Sequence, residues 1–64
     1  MGMYAYSGQV CEFGKVVQEH WEGETWAISE AKAKSNLTYQ WKVKNNRGAD
    51  SKVTLPGKVV EIGG

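Results

Sequence analysis

One thiol and one imidazole, Cys11 and His20, are the sole residues of their kinds in the chain. Brought together, they could act as a nucleophile and its base. They fall on neighbouring predicted strands, near enough in the chain to meet. No third group to orient the imidazole and no oxyanion hole accompanies them. The expected outcome is a small buried cysteine and a surface histidine. The carboxylates Glu12, Glu19, Glu22, Glu24, Glu30, Asp50 and Glu61 form no pair motif that would straddle a substrate. The glycines make neither a phosphate loop nor a dinucleotide fingerprint. One Cys and one His are too few for a structural zinc site. The sequence therefore predicts no enzyme, no cofactor and no small-molecule substrate.

The lysines offer a second kind of chemistry. Lys32, Lys34 and Lys42 recur along one segment, with Tyr39 among them. A basic face beside an exposed aromatic could meet a phosphate backbone or a partner helix. The formal net charge of +1 is not in itself a nucleic-acid signature. These four residues are the candidate contacts for nucleic acid or a partner.

The segment that must position them is Ser29 to Asn45, the one stretch that reads as a long helix. Ser29 is a good N-cap, because its hydroxyl can accept from a free amide of the first turn. Glu30 suits the positive end of the helix dipole. Ala31, Lys32, Ala33 and Lys34 are strong helix formers. Lys42, Lys44 and Arg47 suit the negative end, and Gly48 is the expected left-handed cap. Ala33, Leu37 and Trp41 fall on one stripe, with Asn36, Gln40 and Val43 beside it. That stripe should lie on a sheet. The other face carries Ala31, Lys34, Ser35, Thr38, Lys42 and Asn45.

The flanking segments read as strands. Met3–Phe13 is the first, with Gly8 as a candidate bulge, and Phe13-Gly14 is a turn. Lys15–Trp21 is its antiparallel partner. Glu22-Gly23 is read as a second turn, and Glu24–Ile28 as a third strand with Trp26 and Ile28 on one face. After the helix, residues 47–50 are a loop and Lys52–Ile62 is strand-like. Pro56 has no amide hydrogen, so Pro56-Gly57 should break this strand or hold it at a sheet edge. Gly63-Gly64 is expected to fray.

These elements predict a single α+β domain over 1–64. It has a three- or four-stranded antiparallel sheet with one helix on one face, in the order β-β-β-α-β. The expected core is Leu37, Trp41, Ala33, Val10, Val17, Trp26, Ile28 and Leu55. One helix covers one sheet face, so the other should be open, with Tyr4, Tyr6 and Trp21 as its candidate residues. Such an open face, or edge pairing of the first or last strand, is a route to a partner or a homodimer. At 64 residues the core is small, and a lone cysteine excludes an internal disulfide. No stretch approaches the roughly twenty apolar residues of a membrane span. The lone cysteine and the lack of a leader pattern predict a cytoplasmic protein.

Two resemblances add to this. Ser29, Ala31, Lys32, Ala33, Ser35, Asn36, Leu37, Tyr39 and Gln40, then Leu55, Pro56, Gly57 and Lys58, form a pattern SEAKAKSNLTYQ…LPGK. It resembles small uncharacterised proteins of Gram-positive phages and conjugative elements, which implies a bacterial mobile-element origin and no particular activity. The strands leading into a helix that opens Ser29-Glu30-Ala31-Lys32-Ala33-Lys34 also resemble the C-terminal half of a double-stranded-RNA-binding domain. That resemblance implies phosphate contacts at Lys32 and Lys34. Here no helix precedes the strands, and a strand follows the helix. The expected function is a non-enzymatic interaction module acting by protein–protein association. The alternative is a nucleic-acid-binding accessory protein that uses the basic helix face.

Overall fold

The computed structural model describes all residues except Ala49 and Gly64. Ala49 of the expected loop and Gly64 of the expected frayed end lie outside the described residues. Among the described residues the order is β1 (Gly2–Glu12), β2 (Lys15–Ala27), α1 (Glu30–Lys44), β3 (Val53–Thr54) and β4 (Val59–Gly63). All pairings are antiparallel, and the helix packs on one face of the sheet. This is the expected α+β class, with two strands on each side of the helix.

β1 is the central strand. β2 pairs along one side of it, and β3 and β4 lie end to end along the other. A tight hairpin joins β1 to β2 through Phe13 and Gly14, both at positive φ (52° and 81°), the geometry that suits twisted strands. The expected turn at Glu22-Gly23 does not form, and β2 runs straight through it. Gly23 serves packing instead. A Cβ there would stand 2.5 Å from the Trp21 ring and 3.0 Å from Leu37 Cδ2. Its missing side chain lets the helix come down on the sheet.

Trp21 lies opposite Gly8, and Tyr6 lies opposite Gly23. Each ring leans along its own strand over the next glycine on its face. A Cβ on Gly8 would sit 3.0 Å from the Tyr6 hydroxyl. The two rings meet at 6.3 Å, tilted by 40°. This checkerboard of two aromatics and two glycines makes the floor under Leu37. The core is Tyr4, Tyr6, Val10, Ala27, Ala33, Leu37, Trp41, Val53, Leu55 and Val59.

Tyr4 and Tyr6, expected on the open face, are therefore core residues, and Trp21 is partly buried against them. They share their side of β1 with Val10, and that side is the one the helix covers. Val17, Trp26 and Ile28, expected in the core, are exposed instead. Ala27 takes the inward place in β2, where the approaching helix leaves room for a small side chain. At the hairpin end, β2 carries two extra residues. Three steps from Trp21 to Gln18 match two on β1, and two from Gln18 to Val16 match one. Such bulges change which side chains face inward. Gln18 turns in, and its carboxamide oxygen accepts from the Trp41 indole at 3.0 Å.

The helix starts as expected, with the Lys32 amide donating to the Ser29 hydroxyl at 3.2 Å. It ends earlier than Gly48. Asn46 takes the left-handed position at φ 55°. The amides of Asn46 and Arg47 close back on Val43 and Lys42 carbonyls, a Schellman motif. Arg47 then lies over the Trp41 ring, 5.6 Å from its centre.

Pro56-Gly57 breaks the last strand and leaves it at the edge, as expected. The register survives the break: Tyr6 faces Val59 and Cys11 faces Thr54, five residues on along both chains. The Phe13 amide donates to the Lys52 carbonyl, so odd-numbered residues of β1 aim their backbone groups at this edge. In that register Gln9 faces Pro56, which has no N–H to donate. The Tyr6 hydroxyl donates to the Gln9 carbonyl at 2.5 Å and accepts from the Gly57 amide at 3.1 Å. One side chain thus supplies the donor that proline lacks.

Tyr6→Phe should therefore lower stability by about 1–3 kcal/mol, since two part-buried backbone groups lose their partner. Chemical denaturation checks this, and an unchanged midpoint would count against the assignment.

Candidate functional site

The four helix residues singled out in the sequence do not share one surface. Taking Leu37 as the inward direction, the helical turn puts Lys34, Thr38, Ala31 and Lys42 on the flank toward β3 and β4. Asn36, Gln40, Val43, Lys32 and Tyr39 fall on the flank toward β2. Tyr39 and Lys32 are exposed there, while Lys34 and Lys42 are half-buried.

The β2 flank closes an edge. Backbone direction alternates along β2, so the carbonyls of Glu24 and Trp26 point away from β1. The Gln40 carboxamide donates to the Glu24 carbonyl at 3.4 Å, and Asn36 donates to Trp26 at 3.3 Å. Nearer the hairpin, Gln18 donates to the His20 carbonyl at 3.0 Å. Three carboxamides thus occupy acceptors that another strand would need. The expected edge pairing of the first strand has no place here, because β1 is central.

The β3/β4 flank is a groove. Glu30, Ala31 and Lys34 face Lys58 and Val59 across its first part, and Lys34, Ser35 and Thr38 face Val53, Thr54 and Leu55 across its second. Lys34 belongs to both parts. Beneath the first part, Tyr4 holds its proton to higher pH than an ordinary tyrosine. Burial disfavours its phenolate, and the Glu61 and Glu30 carboxylates add repulsion.

The open sheet face is the third surface. Its residues alternate with the core set: Met3, Ala5 and Ser7 from β1, Glu22, Glu24 and Trp26 from β2, and Val60 from β4. Trp26 lies beside Met3, while Glu24 and Val60 flank Ala5. Trp26 is 55% exposed, Val60 58% and Ile62 52%. A shallow depression beside them has Ala5 and Ser7 on its floor and Glu22 and Glu24 on its rim. The expected open face is present, but with Trp26 and Val60 in the places given to Tyr4, Tyr6 and Trp21. Strand alternation through Ala27 was the signal for them. The assumed turn at Gly23 hid it.

The His20 imidazole pairs with Glu22 at 2.9 Å, both side chains exposed. Cys11 sits in the ladder between Val16 and Thr54. Among the described residues, no three His, Cys, Asp or Glu side chains cluster as metal ligands. Among the described residues, no helix is long and apolar enough to cross a membrane. The chain matches no family model, no curated protein and no solved structure. Fold and surfaces define a small α+β domain of β-β-α-β-β order.

The edge bonds can be tested by Asn36→Ala with Gln40→Ala. The double variant should lose about 1–2 kcal/mol, from roughly 1 kcal/mol per hydrogen bond. It should also self-associate at concentrations where the parent stays unchanged in sedimentation. Parent-like stability and sedimentation would show that the carboxamides protect nothing.

Proposed function

We propose that this protein is a non-enzymatic interaction module that binds another protein through its open sheet face. One observation carries the reading. The face that the single helix leaves uncovered groups Trp26, Met3 and Val60 beside an acid-rimmed depression. Contiguous apolar surface on a small protein is where partners dock, and tryptophan is enriched among residues that dominate binding energy. The Glu22 and Glu24 rim suits a partner that sets a lysine or arginine next to an apolar patch. The blocked β2 edge supports docking on the face rather than strand addition along it. The resemblance of the helix and LPGK segments supports a role in a bacterial mobile element, in the cytoplasm.

Trp26→Asp and Val60→Asp test this by cross-linked capture of partners, with Lys32→Glu as the control on the helix side. Each face variant should weaken the captured complex by ~2 kcal/mol or more, roughly thirtyfold. The control should keep it. Equal capture by all three proteins, each showing parent-like circular dichroism, would contradict the reading. Sedimentation of the parent alone separates a self-complex from a foreign partner.

A further inference from the structure

We propose that the groove between α1 and the Leu55–Val59 segment is a second binding site, for the phosphate groups of a nucleic-acid backbone. It lies on the helix side of the sheet, away from the open face, and does not depend on what that face binds.

Its two banks come from different elements, and each brings a lysine. Lys34 stands on the helix and Lys58 on the broken strand, and both line the same concavity. Among the described residues, the ion pairs join His20 to Glu22 and Arg47 to Glu12. Neither lysine is in one. The two ammonium groups outnumber the one carboxylate, Glu30, that lines the same part of the groove, so an anion is favoured there. The groove is open, and its helix wall from Ala31 through Ser35 to Thr38 is made of short side chains. A bulky backbone can therefore come close. The Thr38 hydroxyl donates to the Ser35 carbonyl at 2.8 Å, so recognition falls to the ammonium groups.

The position of Lys58 is anchored on both sides. Leu55 and Val59 are buried, and the Gly57 amide is bound to Tyr6. The Pro56-Gly57 break thus presents a lysine from a fastened segment. One turn beyond Thr38 the same flank carries Lys42. From Lys34 to Lys42 is eight residues, about 12 Å along the axis, so the cations form a track and not a point. A track of separated cations fits successive phosphates better than a single small anion.

Fluorescence anisotropy with labelled single-stranded and duplex oligonucleotides tests this on the full chain. The probe variant is Lys34→Glu with Lys58→Glu. The control is Lys32→Glu with Lys44→Glu, which changes the net charge equally from outside the groove. Circular dichroism must match the parent for both. The parent should bind at 50 mM salt and weaken by roughly 10- to 40-fold on duplex at 200 mM, as expected for two to three phosphate contacts. The groove variant should bind at least tenfold more weakly and the control within threefold of the parent. Equal loss in both variants would reduce the effect to overall charge and overturn the proposal. So would no binding by the parent at 50 mM salt, or displacement by polyglutamate as effective as by oligonucleotide. The better-bound oligonucleotide identifies single strand or duplex as the source of the phosphates.

Discussion

Pro56 interrupts the ladder at a point where the Gln9 carbonyl faces it, and the Tyr6 hydroxyl fills the gap. The rest of the sheet depends on that substitution. Without it, the chain from Leu55 to Lys58 would have a buried anchor at one end and no hold in the middle. With it, β3 and β4 keep one register on β1 although four residues between them leave the ladder. The ring that brings the hydroxyl there also fills the core. It needs Gly8 and Gly57 to remain without side chains, since a Cβ on either would lie 3.0 Å from its oxygen. Burial, hydrogen bonding and backbone geometry thus meet in one residue, as a chain this small requires.

The same constraint sorts the surfaces. Large rings on β1 take the inner face, and the helix packs Leu37 onto β2 at Gly23 and Trp41 nearer the hairpin, where its indole meets Gln18. What remains on the outer face is Trp26 and Val60, beside a carboxylate rim. The helix then divides its polar residues by flank. Carboxamides turn toward β2 and cap its carbonyls, while Lys34 and Lys42 turn toward the broken strand. The molecule therefore carries an acidic and apolar face on the sheet side and a basic groove on the helix side, at a net charge of only +1. That separation is the physical basis for reading the two surfaces as sites for different partners.

Much of this was legible in the residues. The Ser29 cap, the inward stripe of Ala33, Leu37 and Trp41, the Phe13-Gly14 turn and the break at Pro56 follow from local rules that tertiary packing did not override. Gly23 was ambiguous, because a glycine that makes a turn and a glycine that admits a neighbour's side chain look alike in one sequence. Read as a turn, it inverts the faces of the segment after it and sends Trp26 and Ile28 inward. Tyr4 and Tyr6 share the parity of Val10, and alternation alone points them inward. An expectation that aromatics stock the open face runs against that alternation. The β2 bulges left no signal in composition, so the exposure of Val17 was not readable. Lys58 was visible as part of LPGK, but its approach to Lys34 depends on a fold-level register.

Amide hydrogen exchange at Gly57 tests the central claim most directly. Gly57 lies outside every strand, between an exposed proline and an exposed lysine. If the Tyr6 hydroxyl holds its amide, Gly57 should exchange far more slowly than Lys58 and should lose that protection in Tyr6→Phe. Exchange as fast as at Lys58 in the parent protein would mean that the broken strand is not fastened there, and the account of how the sheet keeps its register would fail.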